Sequence, residues 1–168
     1  MTEKCSIHFD KKEFFPGEAL TGTVELCFKT GKRVKTIAVT LHGGGVLKIG
    51  DDSRVEPIIE EYIHEEIDIL RLKKYNSAER DTVLVTSGSH TYEFLFNLPT
   101  NLPSSFHLKR ASISYRITTE VEIQGFLEPL EDSKLVTIGS YIDLNLIPML
   151  VKGPLRKTAI NDIFCLCF

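Results

Sequence analysis

Between residues 91 and 123 the chain twice settles into strict alternation. Tyr92, Phe94, Phe96 and Leu98 are separated by Glu93, Leu95 and Asn97, and later Ile113, Tyr115, Ile117, Val121 and Ile123 alternate with Ser114, Arg116, Thr118, Glu120 and Glu122. A period of two carried by aromatic and β-branched residues predicts two half-buried strands. Pro99 and Pro103 bracket the polar stretch between them, and a residue without an N–H cannot donate to a ladder. Strands that each need one face covered imply a second sheet stacked on them, the core of a β-sandwich.

The same period recurs on either side. Ile7 and Phe9 alternate with Ser6 and His8, and Leu20, Gly22, Val24, Leu26 and Phe28 alternate with Thr21, Thr23, Glu25 and Cys27. Between these strands, Pro16-Gly17 suits the two central positions of a type II turn, with positive φ at Gly17. The basic turn Lys29-Thr30-Gly31-Lys32-Arg33 leads into Ile37, Val39 and Leu41, and so short a link predicts an antiparallel hairpin. Gly43-Gly44-Gly45 reads as the turn or kink that ends this strand. No Gly-Lys-Ser/Thr follows it, so it is not a phosphate loop.

Residues 82–86 predict a short buried strand, and residues 135–146 a last long one with Val136, Ile138, Ile142, Leu144 and Leu146 on one face. Residues 57–72 are ambiguous. Ile58, Ile59, Tyr62, Ile63, Ile67 and Leu70 fit helical spacing, while Ile67-Asp68-Ile69 and Leu70-Arg71-Leu72 fit a strand with a phase slip. A strand is expected, because a single helix inside an otherwise β series is harder to cover.

Composition narrows the picture. With 168 residues, 42% of them hydrophobic, one domain can bury roughly 70% of the surface its unfolded chain exposes. The formal charge of −3 supplies no basic field for nucleic acid. No apolar signal-peptide core, run of membrane-spanning length or Asn-x-Ser/Thr site is present, and Cys5, Cys27, Cys165 and Cys167 lack a secreted spacing. A cytoplasmic protein is expected. Charge is nevertheless uneven: Asp51, Asp52, Glu56, Glu60, Glu61, Glu65, Glu66 and Asp68 face only Arg54 within residues 51–68, which reads as a solvated acidic edge.

Phe15-Pro16-Gly17-Glu18, Leu20-Thr21-Gly22-Thr23-Val24 and the strand from Val34 to Leu41-His42-Gly43 look like the opening of an arrestin-type N-terminal domain. Gly88-Ser89-His90-Thr91-Tyr92-Glu93-Phe94, the loop from Leu98-Pro99 to Pro103-Ser104-Ser105-Phe106, Ser114-Tyr115-Arg116-Ile117 and Asp143-Leu144-Asn145 extend the likeness over residues 6–167. The pattern resembles the α-arrestins, the arrestin-domain-containing group, more closely than visual arrestins. That resemblance implies an all-β fold, an immunoglobulin-like sandwich of two antiparallel sheets. It also implies a non-catalytic adaptor, recruited to plasma membrane or endosomes, that binds cytoplasmic tails of membrane proteins in endocytosis, sorting and ubiquitin-linked trafficking. Residues 1–150 would form this domain, and residues 151–168 a linker and the first strand of a second, truncated lobe. The Pro-Pro-x-Tyr motif by which relatives engage a ubiquitin ligase is missing from this sequence, so ligase recruitment would need a C-terminal region absent here.

Candidate chemistry is sparse. No nucleophile elbow, His-Glu-x-x-His or nucleotide loop occurs, and neither an enzyme nor a cofactor is expected. Cys5-x-x-His8 with Cys165-x-Cys167 would give four metal ligands, but structural zinc favours Cys-x₂₋₄-Cys pairs, so buried hydrophobic cysteines and no metal are expected. Cys165-Leu166-Cys167-Phe168 satisfies a C-a-a-X box, making Cys165 a lipidation candidate if Phe168 is the natural end; the competing reading is a buried strand. Lys11-Lys12 fall where phosphate-sensing arrestins place a basic pair. With Lys32 and Arg33 they are the candidates for meeting an acidic or phosphorylated tail added at a sheet edge. The alternatives are a small-ligand carrier holding a lipid between the sheets, or a truncated isoform that occupies cargo without recruiting ligase.

Overall fold

The computed structural model describes residues 3–49, 56–73 and 82–140. Its strands follow the alternation closely. They are β1 (Lys4–Phe9), β2 (Glu13–Phe14), β3 (Ala19–Phe28), β4 (Lys32–Leu47) and β5 (Ile58–Asp68), which continues into a short helix, α1 (Ile69–Lys73). Then come β6 (Val83–Val85), β7 (Gly88–Asn97), β8 (Phe106–His107), β9 (Ala111–Ile123) and β10 (Leu130–Ile138).

Two sheets form. The smaller has the order β1-β3-β7; the larger runs β2-β10-β9-β4-β5, with β6 also on β4 and β8 on β9. All pairings are antiparallel except β2 with β10. The two most regular stretches of the sequence, β7 and β9, therefore lie in opposite layers. Ile7, Leu20, Val24, Leu26, Phe94 and Phe96 of the small sheet and Ile37, Val39, Leu41, Tyr115, Ile117 and Val121 of the large one belong to a single buried cluster. Each such side chain contributes about 1.5–3 kcal/mol on leaving water.

The Pro16-Gly17 turn forms as the sequence predicts. Gly17 has φ of 83°, and the Glu18 N–H donates to the Phe15 carbonyl at 3.0 Å. The proline-bracketed loop is also fixed: the buried Tyr115 hydroxyl donates to the Pro103 carbonyl at 2.6 Å. Ser105 N–H reaches the Ile138 carbonyl at 2.8 Å, and Ile138 N–H reaches Ser105 Oγ at 2.9 Å.

Four expectations need correction. First, β3 and β4 do not form a hairpin. Both sides of β3 are taken, by β1 and by β7, so residues 29–31 carry the chain from one layer to the other. A polar link of this length serves a crossing as well as a hairpin, and alternation does not encode a strand's partner. Second, Gly43-Gly44-Gly45 do not end β4. They lie inside it, where a Cβ on Gly43 would overlap the Tyr115 ring and one on Gly45 would sit 2.9 Å from the Tyr62 hydroxyl. Their lack of side chains makes room for two tyrosines.

Third, residues 57–72 are a strand only to Asp68. Asp68 Oδ1 accepts from Leu70 N–H at 3.0 Å and Arg71 N–H at 3.4 Å, capping α1 and turning Ile69 and Leu70 into the core. The phase slip in the pattern is thus a change of element. Fourth, the last described strand starts at Leu130, five residues before the expected start, because Leu130 pairs with Val121 across β9. The expectations for Ile142, Leu144 and Leu146, and for residues 151–168, lie outside the described residues.

Candidate docking edge

β1 is an outer strand of the small sheet. In an antiparallel ladder, N–H and C=O groups alternate between facing the partner and facing away. Asp10 N–H bonds the Thr21 carbonyl at 3.4 Å, so the groups of Cys5, Ile7 and Phe9 point away from β3. Ile7 uses this freedom: its N–H donates to Asp132 Oδ2, on β10 of the opposite sheet, at 2.7 Å. A carboxylate from the other layer therefore occupies the middle of the edge, where the carbonyl of an added strand would lie. The same carboxylate and, more strongly, burial push the neighbouring Cys5 thiol up to about 12.

The basic candidates sit at the two ends of this strand. Lys11 Nζ lies 3.3 Å from Glu18 Oε2 and 5.8 Å from the centroid of the Phe14 ring. Glu18 also accepts from the Phe15 N–H at 3.2 Å, so the turn holds the carboxylate that holds Lys11. Lys12 is exposed, and among the described residues no carboxylate pairs with it. Lys32, at the opposite end, is committed to packing: its ammonium lies 3.0 Å from Glu3 and 5.0 Å from the Phe126 ring centroid. Arg33 is exposed, and its carbonyl accepts from Gln124 N–H at 2.8 Å. Because β1 separates the pairs by roughly 20 Å of strand, they do not form one patch.

Cys165 lies outside the described residues. Cys5 and His8 cannot share an ion: they are three apart on an unbulged strand, Cys5 buried inward and His8 outward, 3.5 Å from Glu25. Sequence reasoning missed Asp132, because residues 130–134 do not alternate and an acidic residue there carries no sign of the partner it will meet. It also missed a cluster on the outer face of the large sheet, where His42, Glu61 and His64 bring ligand-type atoms within 4.8 Å of one another.

Two stacked, mainly antiparallel layers around a filled interior make this a β-sandwich. The chain belongs to the arrestin family: residues 5–145 match "Arrestin (or S-antigen), N-terminal domain". Among solved structures it is similar to Spo0M, the sporulation control protein from Bacillus subtilis. Identity is 18% and the TM-score 0.57, with 83% of this chain and 50% of that one covered. The chain thus spans about half the length of that relative, and the likeness speaks for shared fold alone.

Proposed function

We propose that this chain is a non-catalytic adaptor domain of the α-arrestin kind. It takes up an extended cytoplasmic segment of a membrane protein along the outer edge of β1, in the service of endocytosis, sorting and ubiquitin-linked trafficking. The observation that carries this reading is the Ile7 N–H, which already reaches off the edge to an anionic acceptor, Asp132. An incoming strand would replace that carboxylate with its own carbonyl and draw affinity from the main chain. Lys12, and Lys11 once released from Glu18, would then meet an acidic or phosphorylated residue beyond Phe9. Ligase contact is assigned to a segment other than this domain, and the setting is the cytoplasmic side of plasma membrane or endosome. The lipid-carrier alternative finds little support, since the inward positions are large and mutually packed, among them Tyr115, Phe14 and Phe96.

The test is calorimetry with a synthetic acidic or phosphorylated peptide. Lys11→Glu/Lys12→Glu should weaken binding up to about tenfold, the scale of two exposed charge contacts. Asp132→Ala should strengthen it by unplugging the edge. Affinity unchanged in both variants would overturn the edge reading.

A further inference from the structure

We propose that His42, Glu61 and His64 form a binding site for a divalent transition metal of the zinc class on the outer face of the β4–β5 ladder. His42 and His64 are direct cross-strand partners, and their rings stand edge to face with centroids 5.8 Å apart. Glu61 comes from the same strand as His64, three residues earlier. In an unbroken strand that spacing places two side chains on opposite faces.

A bulge removes the obstacle. The register slips between Gly43 and Gly44, so that Gly43 faces Ile63 while Gly44 faces Glu61, and Tyr62 is the extra residue. Glu61 thereby joins the two histidines on one face. One oxygen, Glu61 Oε2, lies 3.3 Å from His42 Nε2 and 3.6 Å from His64 Nδ1. Gly44 is part of this device: a Cβ there would stand 2.8 Å from the Glu60 carbonyl, so a side chain would disturb the bulge.

The two Glu61 distances match the chemistry, and all three ligand atoms lie within 4.8 Å of one another. Metal–ligand bonds of about 2.0–2.1 Å in a tetrahedron place neighbouring ligand atoms roughly 3.3–3.5 Å apart. Two imidazoles and one carboxylate suit zinc and its neighbours, whereas magnesium and calcium prefer oxygen alone. Three protein ligands leave a fourth position for water or for a donor from a bound partner. The surroundings are compatible with a cation: Glu66 lies on the same face beside His64. Arg116, paired opposite His42 on β9, turns its guanidinium to Ser133 on β10 at 3.0 Å. All three ligands are exposed, so an ion can reach them. Bound metal would tie the outer strand β5 to β4 and stabilise the folded chain by an amount that grows with the logarithm of its concentration above Kd.

The experiment is a zinc titration of the full chain, read by the imidazole resonances of individual histidines. The cysteine thiols are alternative zinc ligands, so a residue-resolved signal is required. One equivalent of zinc should shift His42 and His64 together while His8, His90 and His107 stay in place, and magnesium should do nothing. Losing a direct ligand should cost at least as much as losing an outer-shell partner, so His64→Gln or Glu61→Gln should weaken zinc about tenfold or more. Circular dichroism of the metal-free variants establishes that they fold, with His42→Gln as a replacement should one fail. Zinc that leaves the His42 and His64 resonances unmoved, or that binds His42 equally well in both variants, would overturn the site.

Discussion

On the inner side of the β4–β5 ladder, Gly43 lies beneath the ring of Tyr115 with no space for a methyl group. On the outer side, one residue earlier, His42 stands in water beside Glu61 and His64. The inner position is decided by volume, because the rings and backbones around it have nowhere to move. The outer position is decided by charge and donor geometry, with solvent ready to replace any partner. One bulge serves both: it lets Ile63 stay inward opposite Gly43 and brings Glu61 outward opposite Gly44. The contrast shows that a single backbone irregularity can set packing on one face and chemistry on the other.

The sharpest way to break this contrast is Gly43→Ala. The added methyl would meet both the Tyr115 ring and Ile63, and overpacking of this kind costs about 3 kcal/mol. A denaturant titration should show the midpoint moving strongly, whereas an unchanged midpoint would mean that volume does not govern the inner face.

Tyr115→Phe is the next largest. It removes the hydroxyl donor to Pro103 and should cost about 1–2 kcal/mol. It also carries a pH signature. Burial, with the Tyr62 charge adding, pushes the Tyr115 hydroxyl from 10.0 up to about 12. A raised phenol favours the neutral form in the fold, so this contribution is complete below the unfolded value of 10.0 and is lost as pH rises through about 12. Thermal melts across that window should fall less steeply for the variant than for the parent. Cys5, raised from 9.0 to about 12 by burial, should leave a residual alkaline loss of the same sign in both.

His42→Ala, in the absence of metal, sits at the small end. Its contact with Glu61 is exposed on both sides, so stability should change by less than about 0.5 kcal/mol. A loss comparable to that of Tyr115→Phe would mean that the outer face is also held by packing.

The layers were legible in the sequence because burial in a strand has a period of two, and β3 keeps it without a break from Leu20 to Phe28. The Pro16-Gly17 turn was legible because positive φ selects glycine. Partners were not legible. Nothing in Lys29–Arg33 distinguishes a turn within one sheet from a step between two, and the outcome depended on β1 and β7 already flanking β3. The glycine run misled for a related reason: its purpose is visible only beside Tyr115 and Tyr62, far away in the chain. Of the candidate docking residues, the sequence named the lysines but missed Asp132, the group that occupies the edge beside them. The metal-type cluster was hidden by the bulge, since Glu61 and His64 belong on opposite faces until Tyr62 is extruded.

The step from β3 to β4 has a mechanical meaning. Only residues 29–31 separate a strand at the centre of one sheet from a strand at the heart of the other, so the layers are tied together at that corner. A link of three residues reaches only about 10–11 Å, close to the spacing of stacked sheets, so this corner holds almost no slack.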